Sequence, residues 1–368
     1  MVNNNLRVGI VGPVPPPAGG MAGQTAQLLE LLARDGVCVT FVPTNPPYRP
    51  AFVGRLRGVR AVFRFVPHVM RLWRCVANVD VLHVMANSGW SWHLFAAPAI
   101  WIGRLRRRTI VVNYRGGEAD AFLSAAAGVV MPTLARADAV AVPSRFLQDI
   151  FDRHGVKTQV LPNIIDRKRF HPADKPASPG RANLLVARNL ESIYDIGTAI
   201  RAMAIVHRAV PDATLTIAGS GAQHEQLVRQ AADAGLAACV RFVGSLDRDE
   251  VAALNRASDI VVNPSLVDNM PNSILEALAT GTPVVSTDVG GVRHLVTHER
   301  TALLVPPANP EAMAAAILRL VRDNALAARL RAEGLADVEQ YTWPNVRERL
   351  YALYGSSRLA RGTTPQAT

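Results

Sequence analysis

Short apolar runs alternate along this chain with longer segments whose apolar residues recur every three or four positions, the pattern of strands separated by amphipathic helices. In the first half LRVGIVGPV, VCVTFVPT, VDVLHVMA, RTIVVNYRGG, DAVAVPS and TQVLPNIID read as strands, with a helix over TAQLLELLARDG that Gly36 closes. A segment rich in proline and small residues, RFHPADKPASPGRAN, follows, and the alternation restarts behind it. ANLLVARNL, ATLTIAGSG, CVRFVGSLD, DIVVNPS, TPVVSTDVGG and ALLVPP make six further strands, with helices over DIGTAIRAMAIVHRAV, HEQLVRQAADAG, DEVAALNRA and NSILEALAT. Strands separated by crossover helices imply parallel sheets, hence an α/β chain of two doubly wound, Rossmann-like domains facing across a cleft. The pattern places these domains at residues 1–172 and 183–341, joined by a linker at 173–182. WPNVRERLYALYG gives an amphipathic helix at 342–356, with Val346, Leu350, Leu353 and Tyr354 on one face, and 357–368 reads as a disordered tail.

A length of 368 residues suits two cores, and 49% hydrophobic with 19% charged residues is ordinary for a soluble globular chain. Three scattered cysteines, Cys38, Cys75 and Cys239, support neither a disulfide framework nor a metal knuckle and fit a reducing cytoplasm. The first residues read as a strand rather than a secretory signal, and the longest uncharged apolar stretch, Trp90 to Gly103, is too short to span a bilayer. Charge is uneven: residues 1–175 hold 22 basic against 10 acidic residues, the remainder 18 against 19. Much of the excess lies in AFVGRLRGVRAVFRFVPHVMRLWRCV, where arginines interleave with Phe52, Leu56, Phe63, Phe65, Leu72 and Trp73, in helices expected on either side of Pro67. Such a segment can lie on an anionic lipid surface, which suggests peripheral attachment at the inner face of the plasma membrane. The alternative is a surface helix whose arginine stems cover apolar neighbours. No motif for nucleic-acid recognition accompanies the charge.

The densest chemistry lies in residues 260–291, IVVNPSLVDNMPNSILEALATGTPVVSTDVGG. A buried strand ends at Pro264 and Ser265, a polar loop carries Asp268 and Met270, and Pro271 with Asn272 and Ser273 opens a helix that stops at Gly281. The amide end of that helix faces the carboxyl edge of a parallel sheet, a position suited to phosphate or sugar hydroxyls. Asp268 and Glu276, with seven residues between them, can each accept hydrogen bonds from a sugar. This pairing resembles that of the retaining glycosyltransferases of family 4, which have the GT-B fold, and the resemblance extends from about Arg7 to Tyr354.

In that family both acids are usually Glu, the second contacts the donor ribose, and an Arg and a Lys grip the donor pyrophosphate. Here the first acid is Asp268, Arg188 takes the Arg position, and Tyr194 and Asp195 occupy the region of the Lys. With the Lys absent, donor binding is expected to lean on backbone amides at Gly19, Gly20, Asn272 and Ser273, with Met270, Ser220 and Gly244 also at the donor, AGSG and FVGS being loops whose backbone a ligand can approach closely. Where the family usually has a His beside the reacting sugar, this chain has Tyr114 and Arg115, followed by Glu118. We expect Arg115 to offset charge on the leaving phosphate and Glu118 to bind the acceptor hydroxyl or take its proton. His83 could line the acceptor side with Asn87, or be a satisfied core histidine. No metal or cofactor is expected; Asp247 and Asp249 read as cap and first-turn acids of a helix.

The expected reaction transfers a sugar from a nucleoside-diphosphate donor to a lipid-linked saccharide, as in bacterial-type polysaccharide or glycolipid synthesis. Two rivals remain: an epimerase or hydrolase on the same fold, and a non-catalytic partner subunit, suggested by the three departures.

Overall fold

The computed structural model describes residues 6–16, 19–47, 60–173 and 182–362. The basic segment before Arg60, most of the proline-rich linker and the end of the expected tail lie outside these residues. All twelve apolar runs form strands: β1 Arg7–Gly12, β2 Cys38–Pro43, β3 Val81–Ala86, β4 Thr109–Tyr114, β5 Ala139–Val142, β6 Gln159–Val160, β7 Asn183–Ala187, β8 Thr214–Ala218, β9 Val240–Gly244, β10 Ile260–Asn263, β11 Val284–Thr287 and β12 Leu303–Val305. The helices are α1 Gly20–Arg34, α2 Arg60–Ala77, α3 Ala97–Leu105, α4 Ala119–Leu134, α5 Arg145–Arg153, α6 Ile196–Ala209, α7 His224–Asp233, α8 Arg248–Ala257, α9 Asn272–Thr280, α10 Val292–Leu295, α11 Pro310–Arg322, α12 Asn324–Asp337 and α13 Trp343–Gly362.

The strands form two parallel six-stranded sheets, ordered β2-β1-β3-β4-β5-β6 and β12-β11-β10-β7-β8-β9. Every residue of β3 and β4 is buried, which explains why these runs are continuously apolar instead of alternating. The strand order reverses between β1 and β3 in the first sheet and between β7 and β10 in the second. At such a switch point neighbouring loops diverge and leave a crevice at the carboxyl edge.

The chain divides into two compact units, residues 1–162 with 346–368, and residues 163–345. The division falls at Pro162 and Asn163 rather than near residue 172. Asn163 is tied to the loop before α9, and Phe170, fully buried, packs in the core cluster that contains Ile274 and Leu278. The last helix returns to the first unit, and Val346, Leu350, Leu353 and Tyr354 are all buried.

Three helices differ from the sequence expectation, the last of them α13, which continues to Gly362 into the segment expected as a disordered tail. α1 begins at Gly20, five residues before Thr25, because the segment GMAG enters the helix despite its glycines. α2 runs unbroken through Pro67. The carbonyl that loses its donor to proline is that of Phe63, a residue on the exposed side of the helix where water can replace the bond. Among the described residues no helix is long and apolar enough to cross a membrane.

Candidate functional site

In the second unit the sequence candidates meet at the switch point. Arg188 directly follows β7, and the loop carrying Asp268 follows its neighbour β10. Arg188 donates from a terminal guanidinium nitrogen to Asp268 Oδ2 at 2.6 Å, and both side chains are about nine-tenths buried. Tyr194, in the region of the expected Lys, stacks against the guanidinium, 4.0 Å from Cζ to ring centroid. Asp268 also accepts from Ser265 Oγ at 3.3 Å, and its carbonyl accepts from the Gly291 amide at 2.8 Å. Burial raises the Asp268 pKa, opposed by Arg188, the Ser265 hydroxyl and the Asn269 amide. Arg188 Nε is buried with no protein partner, so the cation retains a donor that the Asp268 pairing leaves unused.

Glu276 lies one turn into α9 and is half-buried. Burial pushes its carboxyl up to about 7, and two cations, Arg248 and then Arg188, pull the other way. Arg248, the first residue of α8, was not singled out in the sequence, where its segment read only as a cap. That reading of the acids holds: Asp247 accepts from the amides of Asp249 and Glu250 at 2.9 Å in a capping box with Glu250. Among the described residues no cluster of three metal-ligating side chains exists.

No side chain caps the start of α9, and Ser273 Oγ beside it is buried without a partner. Met270 and Asn272 serve first to hold the loop. Asn163 donates from its side-chain amide to the Met270 carbonyl and to Asn272 Oδ1, each at 2.8 Å, and its backbone amide points at Met270 Sδ. Met270 is buried in the core. Asn163 was missed because nothing local in PNIID points to a partner over a hundred residues away.

The glycines of AGSG let the loop pack closely. Gly219 has φ +151°, and a Cβ there would overlap the Arg188 carbonyl; one at Gly221 would overlap that of Leu190. Only a glycine pair lets this loop press against the segment that carries Arg188. Ser220 remains exposed and accepts from Ser245 Oγ at 2.8 Å; Gly244, at φ +73°, accepts from the Gly219 amide.

In the first unit Gly19 precedes α1 and Gly20 opens it, at the switch point between β1 and β3. Asn87 and Ser88 follow β3. Their side chains crowd Gly116, where a Cβ would meet Ser88 Oγ, Tyr114 Oη and Asn87 Oδ1, so the loops after β3 and β4 lie against each other. Asn87 Oδ1 accepts from the Ser88 amide at 2.8 Å. Arg115 donates through Nε to Asn113 Oδ1 at 3.2 Å; burial lowers its pKa to about 10, which leaves it cationic at neutral pH. Glu118 is exposed just before α4.

His83 does not line an acceptor surface. It is fully buried in the middle of β3, with Nδ1 3.0 Å from Tyr354 Oη and Nε2 3.1 Å from the Asn113 amide nitrogen. Its pKa falls to about 3, through burial and then the charge of Arg115, so it is a neutral core histidine.

The first unit also carries most of the exposed large apolar side chains. On α2 these are Phe63, Val66, Met70 and Trp73; on α3, Trp101 and Leu105; on α4, Val129. Arginines bridge these helices. Arg106 stacks on Trp73 at 3.9 Å and Arg136 on Trp101 at 3.6 Å, while Trp101 Nε1 donates to Thr133 Oγ1 at 3.1 Å.

Two family models match adjoining parts of the chain: Glycosyltransferase Family 4 over residues 18–169 and Glycosyl transferases group 1 over residues 168–336. A glycogen synthase of Mycobacterium tuberculosis is 33% identical over 202 residues, and this chain spans about half of that enzyme's length, 49%. A phosphatidyl-myo-inositol mannosyltransferase of Mycobacterium leprae is 27% identical over 95% of this chain and 96% of its own. The solved structure of Anabaena HepE in complex with UDP and glucose superposes with a TM-score of 0.72 at 18% identity, over 96% of this chain and all of that one. The chain belongs to the glycosyltransferases of group 1 and family 4, and its fold is of the GT-B type.

Proposed function

We propose that this protein is a retaining glycosyltransferase that moves a sugar from a nucleoside-diphosphate donor to a saccharide or lipid-linked acceptor. The observation that carries this is the convergence of Arg188, Asp268 and Glu276 at the switch point of the second unit. Arg188 has an unused buried donor and an ion-pair partner that a phosphate can replace, which makes it the grip on the diphosphate. Arg248 supplies a second positive charge nearby, compensating for the absent Lys. Glu276 accepts from the ribose, and the uncapped amides of α9 with Ser273 face the anion. Asp268, released from Arg188, accepts from hydroxyls of the transferred sugar.

In this scheme Arg115 offsets charge on the departing diphosphate while Glu118 receives the acceptor's proton. Leaving-group charge goes to guanidinium and helix-end amides, so we expect EDTA to leave the rate unchanged. Gly19 and Gly20 offer backbone amides at the start of α1. HepE, crystallised with UDP, supports a uridine nucleotide as the first donor to test. The mannosyltransferase relative supports a lipid acceptor. The basic and aromatic face of α2, α3 and α4 suits anionic headgroups, which supports attachment of the enzyme at the cytoplasmic surface of a membrane.

Incubation of labelled sugar nucleotides with a membrane extract tests the reading. We expect product from the wild type and none from Glu276→Ala, with folding retained. Free sugar without an acceptor product would favour a hydrolase, an epimerised donor an epimerase, and no turnover of any donor a non-catalytic partner subunit.

A further inference from the structure

Four polar side chains form a single file through the first unit, from the last helix to the end of β4. Tyr354 Oη meets His83 Nδ1, His83 Nε2 meets the Asn113 amide nitrogen, and Asn113 Oδ1 accepts from Arg115 Nε, at 3.0, 3.1 and 3.2 Å. His83 and Asn113 have no exposure and Tyr354 has 1%.

The direction of each bond follows from the arginine. Arg115 Nε can only donate, so the Asn113 atom facing it is the amide oxygen, and the atom facing His83 is the amide nitrogen. His83 Nε2 must then accept, which leaves the ring proton on Nδ1 and the phenol oxygen of Tyr354 as its acceptor. Turning Asn113 over would set its amide hydrogens against the arginine donor. Protonating His83 would set two donors against each other at Nε2, and burial keeps the ring neutral. An apolar side chain at position 83 would fill the core equally well. Buried imidazole, amide and phenol groups are costly wherever one bond is missing, so stability alone does not account for them.

We propose that His83 and Tyr354 are positioning residues, which act from β3 and the terminal helix, through Asn113, to set the direction in which Arg115 presents its guanidinium. This rests on the reading of Arg115 as the group that offsets leaving-phosphate charge. It also gives the terminal helix a functional tie to β4, because Tyr354 lies 271 positions beyond His83.

The test is nitrogen NMR of the full-length protein, together with turnover of UDP-glucose in the presence of membrane extract. We expect the imidazole spectrum of His83 to show the neutral Nδ1–H tautomer. His83→Leu and Tyr354→Phe should shift and broaden the Arg115 Nε–H signal and lower kcat on the order of 10–100-fold, with the KM for donor unchanged. His83→Gln, whose amide oxygen can accept from Asn113, should keep both the signal and the rate near wild type. If His83→Leu fails to fold, Tyr354→Phe carries the same comparison. An Nε2–H tautomer, or an Arg115 signal unmoved in Tyr354→Phe, overturns the relay. A wild type without turnover fails the transferase reading alone, because the tautomer and the Arg115 signal still decide the relay.

Discussion

In the second unit the polar side chains at the switch point pair with one another and leave two buried atoms, Arg188 Nε and Ser273 Oγ, without a protein partner. The first unit, built on another six-stranded parallel sheet, joins Tyr354, His83, Asn113 and Arg115 in one hydrogen-bonded file and sets two half-buried arginines, Arg106 and Arg136, on tryptophans. One scaffold thus supports two uses of arginine: Arg188, nine-tenths buried against a carboxylate with a donor left for a ligand, and half-buried ones that share a surface with apolar side chains. Burial decides between them, since a guanidinium in a recess needs a specific anion whereas one on the surface needs only a field.

Arg188→Ala should break this contrast most severely. It removes the proposed phosphate grip and leaves Asp268 buried without its counter-ion, and we expect a loss of about 3–5 kcal/mol in urea unfolding together with loss of UDP binding. The double variant Arg188→Ala, Asp268→Asn should recover most of the stability and none of the binding.

Glu276→Gln comes next and should separate stability from function. A carboxyl whose folded pKa lies near 7 holds its proton while the unfolded chain releases it near 4.5, so stability falls as pH rises between those values and stays low above them. The variant should match the wild type at pH 4 and exceed it above pH 7 by at most about 3 kcal/mol, seen as a pH-dependent rise in Tm. Transfer activity should be lost at every pH.

Substituting Trp73 and Leu105 by Ser should act only on the first unit. We expect binding to anionic vesicles to weaken by roughly 1–2 kcal/mol per residue, to vanish at high salt, and UDP affinity to stay unchanged. The smallest effect belongs to Asp247→Ala, which removes one helix cap: a cost of about 1 kcal/mol, and UDP affinity unaltered with or without Mg²⁺.

The strands and the nearness of Arg188 to Asp268 and Glu276 were legible because local apolar runs specify buried parallel strands, and because loops after neighbouring strands converge at a switch point. What was not legible depends on partners distant in sequence. His83 looks the same in VLHVMANS whether it faces a substrate or a tyrosine from the last helix. AGSG looks like a ligand loop until the carbonyl of Arg188 is found against Gly219. Arg248 was hidden by a capping motif that explained its neighbours completely. Glycine and proline at the start of α1 and within α2 suggested breaks that tertiary packing overrode.

Titration calorimetry with UDP, GDP and ADP, on the wild type and on Glu276→Gln, bears most directly on the claim that the recess beside β7 and β10 holds a nucleoside diphosphate. We expect one of the three to bind the wild type at a single site and to lose at least about tenfold in affinity when the carboxylate is replaced, the cost of one charge-assisted hydrogen bond. Equal affinity in both proteins, or no binding of any of the three to the wild type, would contradict it.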